Sequence, residues 1–295
     1  MNDPLKQQEV LDFLLRNKVD CGAIIETHVK AHHVAAVKRK CFSRFSLVTN
    51  LDSHHGGRIW VLWDPAVITL RVMHQGSQFL HCSLLHLSSQ RSLLVTFVYA
   101  LNRAPERLEL WDRLRSFSTS SNPWICLGDF NVSLTSDERV GCVVHEREML
   151  EFRECLRDCA LEDHPFTGGI FTWHNKQESF PKWAKLDRLL ANRQWFLDVP
   201  STVAFLPPGI SDHTHILLTV VSSVALHKPY RYLNCWSMSP GFCERVSSDW
   251  LAPVFGGRIY SLFSKLRRLR RTLKTIHTSE FMGLSSRVAE AKARL

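Results

Sequence analysis

The stretch Trp124-Ile125-Cys126-Leu127-Gly128-Asp129-Phe130-Asn131 starts as an apolar run and breaks off into a glycine, a carboxylate and an amide. A short apolar run closed by turn residues reads as a buried strand. The same design recurs along the chain. Cys21 to Ile25 ends in Glu26-Thr27, and Leu93 to Val98 ends in Tyr99. Asp187 lies in Leu186 to Leu190, and Ser211-Asp212-His213 precedes the apolar run Ile216 to Val221. In layered α/β domains, side chains at strand ends converge into sites. Read singly, each residue has a plainer role. Glu26 reads as a solvated strand end, Tyr99 as a rim ring, Asp129 as a turn residue and Asp187 as a surface partner of Lys185 or Arg188.

Further strands are expected at Arg58 to Trp63, Ile170 to Trp173 and Val203 to Leu206, with a hairpin of Ile68 to Met73 and Phe79 to Leu87 around His74-Gln75-Gly76-Ser77-Gln78. Apolar residues at helical spacing predict helices over Lys6 to Asn17, Glu106 to Phe117 and Glu146 to Leu156. Strands outnumber helices, and the mixture favours a layered α/β domain. Trp173 is expected in the core. His32-His33 and His54-His55, without carboxylates at ligand spacing, read as solvated loop residues.

The 295 residues are 45% hydrophobic and 22% charged, which excludes a mainly disordered or fibrous chain. No apolar stretch is long enough to span a bilayer, and the polar opening Met1 to Gln8 does not read as a secretory signal. The nine cysteines form no CxxC pair, which fits free thiols; Cys155 and Cys159, without a second pair, do not make a zinc site. Charge is uneven. Residues 228–295 hold 13 Lys+Arg against 4 Asp+Glu, so the whole net charge of +9 lies there. Within them Leu262, Leu266, Leu269 and Leu273 share a helical face among Lys265, Arg267, Arg268, Arg270, Arg271 and Lys274. Two regions are expected, 1–225 and a basic, mostly helical extension at 226–295.

Two carboxylates, a tyrosine, an asparagine and an Asp-His pair suit metal-assisted phosphoryl chemistry, because oxygen ligands suit Mg²⁺ and a histidine can stabilise charge or move a proton. Ile25-Glu26-Thr27, Val98-Tyr99, GDFN at 128–131, Phe171-Thr172-Trp173, Lys185-Leu186-Asp187-Arg188 and Ser211-Asp212-His213 run in this order. In it the chain resembles the endonuclease/exonuclease/phosphatase superfamily, of DNase-I-like fold. Asn2 to Gln7, Pro165-Phe166-Thr167-Gly168, KLDRLLAN and GISDHTHILL are similar to the endonuclease region of plant LINE-type non-LTR retrotransposons. The resemblance covers about residues 2–225.

The resemblance implies a four-layer α/β sandwich, two mixed sheets flanked by helices. It implies an endonuclease that uses Mg²⁺, with Mn²⁺ as an alternative, and nicks DNA to leave a 3′-hydroxyl, in the nucleus. It implies no membrane and no small-molecule cofactor. Glu26 matches a metal carboxylate and Asp212 the acidic residue beside the metal. Asp129 matches the residue that activates water, Asn131 and Tyr99 match phosphate contacts, and Asp187 matches the partner that orients the catalytic His213. Asn175 and Lys185 are expected at the substrate.

The family's opening, asparagine-bearing strand has no counterpart here, and the fold is expected to lack it, with unpaired backbone on its neighbours. His215 stands where the family commonly has proline and reads as a tolerated substitution. No reverse-transcriptase segment follows, so the chain reads as a fragment of such an open reading frame. Two alternatives stay open: a catalytically inactive remnant that binds nucleic acid weakly, and an enzyme for small phosphate esters.

Overall fold

A computed structural model describes residues 1–53, 58–143, 145–209, 211–221, 232, 234–254 and 257–281. His54-His55 lies outside them. The chain divides into two compact units, Met1–Leu226 and His227–Leu295.

In the first unit, helix α1 (Pro4–Arg16) starts where Asp3 accepts a hydrogen bond from the Leu5 amide at 2.9 Å. Strand β1 (Cys21–Ile25) and helix α2 (Ala31–Cys41) follow, then β2 (Ser46–Thr49) and β3 (Ile59–Trp63). Four long elements come next: β4 (Ile68–Gln75), β5 (Phe79–His86), β6 (Arg91–Tyr99) and α3 (Ala104–Phe117). β7 (Trp124–Asp129), β8 (Arg139–Val140), α4 (Glu146–Cys159), β9 (Leu161–Asp163) and β10 (Phe166–Gly168) form the middle of the unit. β11 (Trp173–His174), β12 (Trp183–Ala184), β13 (Asp187–Asn192), α5 (Arg193–Asp198), β14 (Ser201–Leu206) and β15 (His215–Val220) complete it. The strand expected over Ile170 to Trp173 is therefore only the short β11. His32 and His33 are exposed, as expected, but they sit on α2 and not on a loop.

The strands make a six-stranded sheet in the order β4-β5-β6-β7-β13-β9 and three-stranded sheets β1-β3-β2, β10-β14-β15 and β11-β12-β8. Alternation along the strands supplies two apolar faces. Val98, Trp124, Cys126 and Leu190 face Trp111, Leu114, Phe152 and Leu156 of α3 and α4. Phe97, Tyr99, Ile125 and Leu189 face Ile59, Val61 and Val203 of two three-stranded sheets. Outside these, Trp60 and Leu62 of β3 pack on Leu14 of α1 and on Phe42 and Phe45. The layers thus run helices, sheet, paired half-sheets, helices: a four-layer α/β sandwich of DNase-I-like type. β1 pairs only with β3, and β15 only with β14, so each leaves one edge without a ladder among the described residues.

The cysteines are all free, and Cys155 and Cys159 are buried on α4 in the core.

In the second unit, α6 (Phe242–Leu251) and α7 (Arg258–Ile276) enclose Trp236, Leu273 and Ile276. Arg268 donates to the carbonyls of Asp249 and Ala252 at the end of α6, at 2.5 and 2.8 Å. The leucine stripe is divided: Leu269 and Leu273 pack inward, whereas Leu262 and Leu266 are exposed.

Candidate active site

The β6–β7 ladder is parallel and pairs Val98 with Gly128 and Tyr99 with Asp129; the β7–β13 ladder is antiparallel and pairs Asp129 with Asp187. Three strands thereby bring a hydroxyl and two carboxylates to one end of the sheet. Gly128 is required locally. Its φ is +136°, and a Cβ there would run into the Val98 carbonyl oxygen. Asp129 then accepts from the Asn131 amide at 2.8 Å, closing an Asx turn, and the Asn131 side chain donates to the Ala100 carbonyl at 2.6 Å. Asn131 and Glu26 both take positive φ, 51° and 53°, a conformation that side chains seldom adopt outside held sites.

The opposite side comes from the segment before β15. His213 Nδ1 lies 2.8 Å from Asp187 Oδ2. Buried Thr172 prepares this pair: its hydroxyl accepts from the amides of Leu186 and Asp187 at 3.0 and 2.9 Å. Around it, the Thr214 amide donates to the Thr172 carbonyl at 2.8 Å, and the His174 amide to the Asp212 carbonyl at 3.1 Å. Trp173, expected in the core, lines the cleft, and its indole donates to Asp212 at 3.1 Å. The indole N–H needs an acceptor, and the half-exposed Asp212 supplies one. At the end of β1, Glu26 accepts from the Tyr99 hydroxyl, and Arg58 lies 5.8 Å from the Tyr99 ring centre.

Glu26, Asp129, Asn131, Asp212 and His213 all line one cleft of about 560 Å³, with Arg139, His145, Lys182 and Trp173 on its walls. Burial, followed by the neighbouring Asp187 charge, raises the Asp129 carboxyl to about 7. Burial opposes charge on His213, but the hydrogen bond and charge of Asp187, with Asp129 and Asp212, raise it to about 9. Burial and Glu26 push the Tyr99 hydroxyl up, so it donates as a neutral phenol. Ligand atoms of Asp129, Asp187 and His213 lie within 4.8 Å of one another. Glu26 and Asp212 line the same cleft, and carboxylate oxygens are the donor type that a hard divalent cation takes.

Two expected substrate contacts turn elsewhere. Lys185 is buried, and its ammonium lies 3.0 Å from Asp163 and 4.6 Å from the Phe166 ring centre. A lysine in that ion pair is part of the frame; Lys182 is the lysine that lines the cleft. The Asn175 side chain is engaged by its own loop, accepting from the Lys182 amide at 2.9 Å and donating to the Phe180 carbonyl at 3.2 Å. Sequence reading also missed a buried cluster behind Asp187. Fully buried Arg188 pairs with both Glu138 and Asp163, holding β13 to the β8 and β9 segments. The charge of Arg188 next to an apolar run is the signal that could have found it. His215, read as tolerated, stacks on Phe13 at 4.7 Å.

Known proteins share this fold. The Endonuclease/Exonuclease/phosphatase family model matches residues 1–213. No curated protein sequence matches the chain. The endonuclease domain of TRAS1, a telomere-specific non-LTR retrotransposon, superposes with a TM-score of 0.57 at 11% identity, over 75% of this chain and 95% of that one. An AP endonuclease from Leishmania major gives 0.55 at 15% identity, over 72% and 81%. A 3′ phosphatase from Neisseria, bound to a product DNA hairpin, gives 0.53 at 16% identity, over 74% and 95%. At these identities the likeness concerns the fold. With 213 of its residues matched by the family model and a four-layer sandwich to carry them, the chain belongs to the Endonuclease/Exonuclease/phosphatase family.

Proposed function

We propose that the first unit is a divalent-metal-dependent DNA endonuclease of retrotransposon type that nicks one strand and leaves a 3′-hydroxyl. The observation that carries this reading is the convergence of Glu26, Asp129, Asn131, Asp212 and His213 on one cleft, with His213 held by Asp187. Hydrolysis joins a water oxygen to phosphorus and breaks the bond to the 3′-oxygen, leaving a 5′-phosphate and a 3′-hydroxyl. Asp129, whose carboxyl is raised by burial and by the neighbouring Asp187, takes the proton of the attacking water. Asn131 fixes the turn that aims this carboxylate. His213, held protonated by its carboxylate neighbours, faces the charge that develops on the phosphoryl oxygens. Asp187 keeps the imidazole oriented through Nδ1, leaving Nε2 for the substrate. Tyr99 donates to Glu26 and fixes its carboxylate at the end of β1.

Glu26 and Asp212 would hold Mg²⁺, or Mn²⁺. When bound, the cation supplies positive charge to the phosphate and the departing oxygen. Glu26, Asp129, Asn131, Tyr99, Asp187, Asp212 and His213 form the proposed machinery, and Asn175 and Lys185 act on it by holding its frame. The reading places the reaction on nuclear DNA; no helix among the described residues is long and apolar enough to cross a membrane. The division of labour puts the chemistry in the first unit and non-specific phosphate contact on α7.

The test is conversion of supercoiled plasmid to the open circle, with Mg²⁺ and with EDTA, beside Asp129→Ala and His213→Ala. Mg²⁺-dependent nicking lost in both variants is the expected result. Folded wild-type protein that leaves plasmid intact would overturn the reading.

A further inference from the structure

The basic helix α7 of the second unit carries an apolar seam that its own unit covers only in part. Ile259, Leu262, Leu266, Leu269, Leu273 and Ile276 follow one another at alternating steps of three and four residues. That is the period by which one helix presents an apolar column to another. The C-terminal half of the column is occupied. Leu273 and Ile276 are buried with Trp236, and Leu269 packs beside them. The N-terminal half is open: Ile259 is 75% exposed, Leu262 48% and Leu266 47%. The cause is a difference in length. α6 has 10 residues and α7 has 19. The end of α6 lies beside Arg268, which donates to the Asp249 and Ala252 carbonyls, and beside Thr272, which donates to the Asp249 carboxylate. Residues 258–267 therefore run on for about 15 Å past that end, at a rise of about 1.5 Å per residue. A row of large apolar side chains facing water costs free energy until something covers it.

Charge indicates the occupant. From Arg258 to Ile276 the helix holds seven Lys and Arg and no Asp or Glu. By helical spacing, Arg258 and Lys265 border the open column on one side, and Phe263 and Arg270 on the other. A second copy of α7 laid on this column would set these cations against their like. Nucleic-acid phosphates would meet the cations and leave the leucines in water. An anionic bilayer takes a broad apolar face along a whole helix, whereas half of this column is already buried under α6. A helix with the same apolar period and carboxylates beside it satisfies both the leucines and the cations. The outer face, with Arg267, Arg271 and Lys274, is left for phosphate contact.

We infer that the open seam of Ile259, Leu262 and Leu266 docks an acidic amphipathic helix of a partner protein, extending the packing that α6 begins. The inference is independent of the cleft and its chemistry. The probe is a labelled three-heptad peptide with Leu at the apolar positions and Glu beside them; its comparison is a peptide of the same residues in scrambled order. Each is titrated with the full chain and followed by anisotropy and by far-ultraviolet circular dichroism. The ordered peptide is expected to bind at least about tenfold tighter than the scrambled one and to gain helix on binding. The double variant Leu262→Ala, Leu266→Ala is expected to lose that preference. Both side chains are exposed, so the variant keeps the core around Trp236, and a urea midpoint equal to that of the wild type checks this. Equal affinity of the wild type for ordered and scrambled peptides would overturn the docking seam, as would a preference that survives the double variant. A dimer of the chain alone in sedimentation velocity, dissolved by the double variant, would overturn it in favour of a second copy. Co-sedimentation with phosphatidylserine vesicles, abolished by the double variant while neither peptide binds, would overturn it in favour of a lipid surface.

Discussion

The two β layers of the first unit are built to different standards. The six-stranded sheet is continuous, and its central strands β7 and β13 are paired on both edges and mostly buried. The facing layer is broken into β1-β3-β2 and β10-β14-β15, and among the described residues both β1 and β15 leave an open edge with half-buried residues. Yet the candidate site draws on both layers. Tyr99, Asp129 and Asp187 come from the continuous sheet, while Glu26 and Asp212-His213 stand at the ends of the open-edged strands. In the proposed mechanism the continuous sheet carries the base Asp129 and the orienting Asp187, and the facing half brings Glu26, Asp212 and His213. The geometry of the second half depends on packing against the first, through residues such as Cys21, Ile25, Ile216 and Leu218.

The largest expected effect tests whether the two layers act as one site. Asp129→Ala, on the continuous sheet, and Asp212→Ala, on the open layer, should each lower nicking by roughly 10²- to 10⁴-fold. A full effect from the first and none from the second would confine the chemistry to one sheet. Next is packing. Trp124→Ala removes a fully buried indole between the continuous sheet and its helices, with an expected loss of about 3–5 kcal/mol in urea unfolding. Ile216→Ala, only partly buried on β15, should cost less, roughly 1–2 kcal/mol. Equal costs would mean that the open layer is as tightly built as the closed one.

A pH effect on stability is expected from the continuous sheet. His81 of β5 is buried, stacked on Phe117 at 4.2 Å and hydrogen-bonded to the Thr96 hydroxyl at 2.7 Å. Burial, with the nearby His74, lowers it from 6.5 to about 4. The unfolded chain therefore binds this proton more readily. Its contribution is complete above about pH 6.5 and falls as pH drops toward 4, by up to about 3 kcal/mol. Urea midpoints at pH 7, 5.5 and 4 measure this, and His81→Gln should flatten the profile. The smallest effect is dynamic. Amides of β1 and β15 should exchange with solvent at least about tenfold faster than those of β7 and β13. Equal protection would show that the open edges are not weak points.

Much of this was legible in the residues. Short apolar runs closed by turn residues marked the main strands, because a strand buried on both faces carries apolar side chains at most positions. Polar residues at the ends of those runs, closing them at Glu26 and Asp129 and preceding one at Asp212 and His213, marked the cleft-lining set, because strand ends share one rim. α2 was missed, since its His- and Lys-rich surface carries little apolar periodicity and its burial is supplied by neighbours. Lys185 and Asn175 were assigned to substrate because each is a polar residue near a motif. Only the fold shows that Asp163 and the loop backbone take them first.

The sequence by itself determined the layered fold, the order of the polar residues and the concentration of basic charge after residue 227. These follow from local pattern and composition, which need no knowledge of distant contacts. Tertiary structure alone decided which carboxylate serves which partner. Asp187 meets His213 across 26 residues of chain, and Trp173 leaves the core for Asp212. Such pairings are set by competition among burial, charge and hydrogen bonding in three dimensions, and spacing along the chain does not encode the winner.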